Sequence, residues 1–221
     1  MQSCNVPAPG KHLDEEYQSE SRMNATIQPG FPEDQRAVAA ALYYEAFRGK
    51  LHRLFDPPEK AHAFFSDILD PQFAISAVSE TGTLMGLAGY KTSQGALTDG
   101  DLKDLSRRYG ALGGLWRGLL VSLLARDQEA GILVRVGICV SADARGLGLG
   151  TQLLHAIKNK AADLNCTSVR LDVIDTNPRA QALYSREGFV PVGTETLGPL
   201  KHLFGFSEST RMEYAVAQQN I

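Results

Sequence analysis

Cysteine is scarce in this sequence, and its positions form no pattern. Cys4, Cys139 and Cys166 are odd in number and far apart, so they predict neither a disulfide framework nor a metal site. No run of about 18 or more apolar residues occurs, which argues against a membrane-spanning helix. The first residues also lack the apolar segment of a signal peptide. We therefore expect a cytoplasmic protein with reduced thiols, no bound metal and no membrane partner.

An excess of positive charge is missing as well. The chain has 22 Lys and Arg against 25 Asp and Glu, with a formal net charge of −3. A dedicated nucleic-acid-binding protein usually carries a basic excess, so we expect no nucleic-acid partner. Hydrophobic residues, by contrast, are plentiful. They make up 43% of the 221 residues, which is enough for the core of one large domain.

The order of predicted strands and helices indicates an α/β protein. Residues 1–23 are polar and predict a disordered tail, which leaves one domain over residues 24–217. The apolar run ILVRVGICV (132–140) predicts a buried strand, and GLGTQLLHAIKNKAADLN (148–165) predicts the helix after it. Leucines three and four positions apart predict a helical insertion over residues 91–130, which glycines divide into two short helices.

A glycine-rich turn joins that strand to that helix. Residues 142–154 read ADARGLGLGTQLL, with Arg145 ahead of three glycines. A helix N-terminus carries unpaired N–H groups and about half a positive charge, and glycine lets a ligand approach the backbone closely. The turn therefore predicts a diphosphate site, although a tight turn without a ligand has the same composition. The RxxGxG spacing differs from the dinucleotide-binding GxGxxG, and the Lys-Ser/Thr of a phosphate-binding P-loop is absent.

Two segments together resemble the GCN5-related N-acetyltransferase (GNAT) family. The first is RxxGxG after an apolar strand, and the second is NPRAQALYSREGF (177–189), which is similar to the family pattern N-x-x-A-x-x-x-Y-x-x-x-G-F. The resemblance is close over residues 132–192 and loose over 25–90. It implies a mixed, mostly antiparallel twisted sheet flanked by helices, with the helical insertion between the third and fourth strands.

The resemblance also implies acetyl-CoA as the co-substrate. In the family, backbone groups of the strand before the glycine turn pair with the pantetheine arm, and the amides of the turn face the diphosphate. The asparagine that begins the second segment caps its helix and reaches the cofactor. The cofactor-binding residues expected on this basis are Ile138, Cys139, Val140, Arg145, Gly146, Leu147, Gly148, Leu149, Gly150, Thr151, Asn177 and Arg179.

Tyr184 is the residue that the resemblance points to for catalysis. The matching tyrosine of the family protonates the leaving thiolate, which a phenol can do because its ordinary pKa of about 10 keeps it protonated. By composition alone, Tyr184 is also suited to be a core aromatic. Many family members carry a glutamate on the strand before the turn, but VRVGICV has none. Asp172 on the next strand is the candidate base, with a water relay or a purely structural aspartate as alternatives.

The sequence therefore predicts an N-acetyltransferase that transfers an acetyl group from acetyl-CoA to a primary amine by direct attack. The acceptor is a small molecule or a peptide N-terminus. The alternative is an acyl-CoA-binding domain without activity, which serves as a sensor or interaction module. The insertion over residues 91–130 has three interpretations: a lid on the acceptor site, the contact of a homodimer, or a helix pair that packs on its own domain.

Overall fold

Strands and helices alternate along residues 25–124 and 131–217, the part of the chain that the structure, a computed structural model, describes. The predicted tail over residues 1–23 lies outside the described residues. The strands are β1 (Ala25–Pro29), β2 (Ala74–Ser79), β3 (Leu84–Thr92), β4 (Gly95–Ala96), β5 (Ile132–Val140), β6 (Ser168–Ile174), β7 (Val190–Thr196) and β8 (Glu208–Ala215). The helices are α1 (Arg36–Phe55), α2 (Pro58–Ile68), α3 (Leu102–Tyr109), α4 (Ala111–Leu124), α5 (Leu149–Asp163), α6 (Pro178–Arg186) and α7 (Lys201–Phe204).

All eight strands belong to one sheet. Its order is β1-β2-β3-β5-β6-β8-β7, and β4 pairs with β3. Every neighbouring pair is antiparallel except β5 and β6, which are parallel. The predicted mixed, mostly antiparallel sheet flanked by helices is therefore confirmed. The two-residue strand β4 is an addition, so the helices α3 and α4 follow β4 rather than the third strand directly.

The sheet separates two hydrophobic cores. On one face, aromatic side chains of α1 and α2 pack with Phe204 and Phe206 near α7. On the other face, Leu153, Leu154 and Ile157 of α5 pack against β5 and β6 together with residues of α6. Both faces of the central strands are covered, which is why β5 is apolar along most of its length.

The helices α3 and α4 form a tightly packed hairpin on the α1 and α2 side. A Cβ on Gly114 would lie 2.5 Å from Ser106 Oγ, and a Cβ on Gly118 would overlap the Leu102 side chain. These two glycines therefore allow α4 to approach α3 closely. The Tyr109 hydroxyl donates to the Phe55 carbonyl at 2.9 Å, which fastens the hairpin to α1.

The opposite side of α4 is exposed and apolar. Leu112, Leu115 and Leu119 are 84%, 61% and 64% exposed, and Trp116 is 41% exposed. Within the described residues, the insertion thus packs on its own domain through α3 and through Arg117 of α4, which donates to the Leu54 carbonyl of α1. The outward side of α4 presents these apolar side chains. The lid and the homodimer contact stay predictions.

Candidate active site

A gap opens between β5 and β6 in the middle of the sheet. The two strands pair only from Ile132↔Ser168 to Val134↔Arg170. Beyond these pairs, β5 continues to Val140 and β6 continues to Ile174 without a register between them. The second half of β5 therefore offers the backbone groups on its β6 side to a ligand. Ile138, Cys139 and Val140, which the sequence predicts to pair with pantetheine, lie in this half.

A β-bulge in β5 marks the start of the gap. In the ladder with β3, Gly89 pairs with Gly137, whereas Tyr90 pairs with Arg135, so β5 has one extra residue at this point. A bulge disrupts the ladder locally and re-aims the backbone groups around it. The bulge and the end of the β5–β6 pairing thus fall within a few residues of each other on one strand.

The glycine turn follows the open half of β5. Gly146 and Gly148 have φ angles of 83° and 76°, which side-chain-bearing residues rarely adopt, and no described atom lies within 4 Å of a Cβ on either. Gly148 is the N-cap of α5 and forms no side-chain cap bond. The amides of the first turn of α5, Leu149 to Thr151, lack acceptors within the helix. The turn therefore has the open space and the donors that an anion requires.

Side chains of β5 alternate between the two cores. Ile138 and Val140 pack toward α5, whereas Cys139 belongs to the core beneath α1. Cys139 is 3% exposed, and its Sγ donates to the Leu87 carbonyl at 3.3 Å. A contact of Cys139 with pantetheine would therefore be made by its backbone.

The helix α6 carries the second predicted segment. Asn177 caps the helix, because its side chain accepts from the Ala180 amide at 3.2 Å, and Arg179 is exposed. Tyr184 is 6% exposed and belongs to the core beneath α5, with its ring 6.0 Å from that of Phe189. The helix position of Tyr184 is thus set by apolar packing on both α5 and the sheet.

Asp172 lies on the α1 and α7 side of the sheet. Its neighbours Leu171 and Val173 pack into the core beneath α5, so the side chain of Asp172 points to the other face. Arg211 of β8 is its register partner, with Arg211 Nε 3.9 Å from Asp172 Oδ1. The Nη2 of Arg211 binds Glu195 Oε1 at 2.7 Å. Arg211 therefore hydrogen-bonds Glu195 and forms a longer ion pair with Asp172, beside the open half of β6.

The family model described as the acetyltransferase (GNAT) family matches residues 39–189. The chain belongs to the GNAT family. The match includes β5, the glycine turn, α5 and α6, which are the elements that surround the gap. GNAT membership makes acetyl transfer with acetyl-CoA the general activity of this chain.

Solved structures support the same fold. The GCN5-related N-acetyltransferase from Kribbella flavida has a TM-score of 0.59 and 18% identity, over 88% of this chain and 99% of that one. The phosphinothricin acetyltransferase from Sinorhizobium meliloti, in complex with AcCoA, has a TM-score of 0.56 and 17% identity, over 90% and 91%. The ribosomal-protein-S18-alanine N-acetyltransferase from Escherichia coli has a TM-score of 0.54 and 15% identity, over 89% and 98%.

Metal-binding clusters and membrane-spanning helices are both absent from the described residues of this GNAT protein. No three His, Cys, Asp or Glu side chains cluster in a way that could hold a metal ion. Among these same residues, no helix combines the length and the apolar character that crossing a bilayer requires.

Sequence reasoning missed a cluster of hydrogen bonds and ion pairs between α5 and the end of α6. His155 of α5 has its Nε2 2.6 Å from Glu187 Oε2. Lys158 Nζ donates to the Glu187 carbonyl at 2.6 Å and lies 3.4 Å from Oε2. Partial burial acts to raise the pKa of the Glu187 carboxyl, but bonds and charges of His155 and Lys158 bring it below its ordinary 4.5. This cluster joins α5, which begins at the glycine turn, to the end of α6, the helix that carries Tyr184.

We expect Glu187→Gln to destabilise this GNAT protein near neutral pH by about 1 kcal/mol, which is about 2–4 °C in Tm. Because folding lowers the pKa of Glu187, its carboxylate stabilises the fold above the unfolded-state value and loses that effect as the pH falls through the folded-state pKa. The Tm difference between wild type and Glu187→Gln should therefore shrink below about pH 4.5. Thermal melts from pH 3 to pH 8 measure it, with the exposed Glu208→Gln as control. A pH-independent difference would contradict the prediction.

Proposed function

We propose that this protein transfers the acetyl group of acetyl-CoA to a primary amine by direct attack. The single observation that carries the proposal is the gap between β5 and β6, with the bulge at its start and the glycine turn at its mouth. This arrangement offers backbone donors along a path from the sheet interior to a helix N-terminus. A thioester with a long arm and a diphosphate matches that path.

The residues present fit acetyl-CoA. The first-turn amides of α5 and the open space at Gly146 and Gly148 suit a diphosphate, and Arg145 adds a permanent positive charge there. The backbone from Ile138 to Val140 suits the amides of pantetheine, in the manner of an added strand. Leu147 and Thr151 contribute their amides to the turn, and Asn177 and Arg179 lie at the start of α6. Acetyl-CoA supplies an activated carbonyl and a thiolate leaving group.

Two proton transfers are assigned to side chains on opposite faces of the gap. Tyr184 holds on its hydroxyl the proton that the leaving thiolate requires. Asp172 accepts, directly or through one water, the proton that the attacking amine loses. The backbone amides at the β5 bulge polarise the acetyl carbonyl, as oxyanion-hole donors do. The amine thus enters from the α1 and α7 side, where Asp172 points.

The general base is tested with Asp172→Asn. We expect kcat/KM for the amine to fall by about 10²-fold, the lower end of what a positioned general base contributes, because water can take part of the role. Glu195→Gln is the matched control, because Glu195 is the other carboxylate that binds Arg211. Steady-state kinetics on both variants separate the two roles. Equal losses would show that Asp172 acts by placing Arg211 rather than by taking a proton.

The activity is tested by following release of free thiol from acetyl-CoA with a panel of amines. We expect amine-dependent release and an increase in Tm when acetyl-CoA is added. Two structural neighbours are named for unlike acceptors, phosphinothricin and an alanine of ribosomal protein S18, so the panel includes small amines and peptides. A Tm increase without thiol release would favour the inactive acyl-CoA-binding module. Absence of both would overturn the proposal.

A further inference from the structure

Phe47 of α1 lies against the bulge of β5. A Cβ built on Gly137 would overlap the Phe47 ring and lie 2.7 Å from its Cε2, so the ring rests directly on the Gly137 backbone. Gly137 is the residue at which the β5 ladder shifts register, at the start of the open half of the strand. The contact is therefore on the acceptor side of the gap and next to the backbone assigned to the acetyl carbonyl.

The wall around Phe47 is aromatic. The ring centroid of Tyr43 lies 4.8 Å from that of Phe47, and Phe65 lies 5.2 Å from Tyr43. Tyr43 and Phe65 are buried, whereas Phe47 is only partly buried. Phe47 is thus the member of this row that keeps ring surface available for a ligand.

The carboxylates of Asp172 and Glu195, near the open half of β6, are already engaged. Asp172 and Glu195 both bind Arg211, so these two carboxylates already share a cation. A polycationic acceptor needs several carboxylates to replace its water, and this pair is engaged within the fold. An acceptor with a single ammonium group near Asp172 is therefore compatible with these carboxylates.

The helices α1 and α7 both pack on this face of the sheet. The helix α1 packs on β3 and β5. Phe204 and Phe206 belong to the hydrophobic core against which Ile174 of β6 packs. A Cβ on Gly205 would lie 3.6 Å from the Gly49 carbonyl, so α1 and the end of α7 meet across the gap. Because α1 and the end of α7 approach each other on this face of the sheet, a compact ligand fits between them and the strands better than an extended chain does.

We infer that Phe47 is a specificity-determining residue and that the acceptor is a small primary amine with an aromatic or branched apolar body. The inference rests on the proposed function. The apolar body packs on the Phe47 ring, and the amine lies between Asp172 and the β5 bulge. Burial of apolar surface on the ring selects this class over amines of similar size that are polar.

The test is the ratio of kcat/KM for 2-phenylethylamine to that for ethanolamine. We expect this ratio to be about tenfold or more in wild type and to fall at least about fivefold in Phe47→Ala, with Phe47→Leu between them. KM for acetyl-CoA stays unchanged. Because both amines are measured on the same preparation, partial unfolding of a variant does not alter the ratio. Phe73→Ala is the control, because Phe73 is also a partly buried aromatic residue but packs on Tyr90.

Other results would overturn the inference. An unchanged ratio in Phe47→Ala would show that Phe47 only supports the fold. A wild-type preference for spermidine, ethanolamine or a peptide N-terminus would show that the acceptor class is wrong, while the acetyltransferase activity would stand. If no amine in the panel releases thiol, the proposed function and this inference fail together.

Discussion

We expect Tyr184→Phe to lower kcat by about 10²- to 10⁴-fold, the usual contribution of a general acid. The phenyl ring keeps the packing with Phe189 and the core beneath α5, since only the hydroxyl is removed. In the proposed mechanism, the leaving thiolate would then depart without a proton donor on the protein. The Kd for acetyl-CoA, measured by titration, stays within about twofold, so the loss belongs to the transition state rather than to binding.

Tyr90→Phe is the control for this prediction. Tyr90 is likewise buried, at 4% exposure, and its hydroxyl donates to the Gln72 carbonyl at 2.8 Å. Its loss should lower Tm and leave kcat nearly unchanged. A kcat of Tyr184→Phe equal to that of wild type would reject the acid role and return Tyr184 to the status of a core aromatic residue.

We expect Gly148→Ala to weaken acetyl-CoA binding by about tenfold or more and to cost about 1–2 kcal/mol of stability. The stability loss follows from the φ of 76° at Gly148, which a side-chain-bearing residue adopts only with strain. The expected loss of binding follows from the position of Gly148 as N-cap of α5, because a shift of the turn would point the amides away from the proposed diphosphate site. Titration with coenzyme A measures the first effect, and thermal melts measure the second.

Gly82→Ala separates the two effects. Gly82 has a φ of 81° in the β2–β3 hairpin, and a Cβ there has no described atom within 4 Å, as at Gly148. The same substitution thus introduces similar strain in similar open space, but away from the glycine turn. Equal losses of coenzyme A affinity in the two variants would mean that the turn does not hold the diphosphate.

Local sequence determined the two segments that carry the family resemblance. The turn at Arg145 to Gly150 and the cap at Asn177 depend on residues that are close in the chain, so their conformations follow from glycine at positive φ and from a side chain that accepts within its own helix turn. Apolar runs likewise predicted β5 and α5. The resemblance of these segments to the GNAT family, in turn, implied the sheet type before its strand order was known.

Tertiary structure alone decided how the site is assembled. The β5–β6 gap and the bulge are properties of strand pairing, and the pairing of Asp172 with Arg211 depends on the register of β8. The Phe47 ring reaches Gly137 only because α1 packs across the strand, and Glu187 meets Lys158 only because α6 packs on α5. These contacts join residues far apart in the chain. Sequence periodicity specifies which face of an element is apolar, but it does not specify which element covers that face.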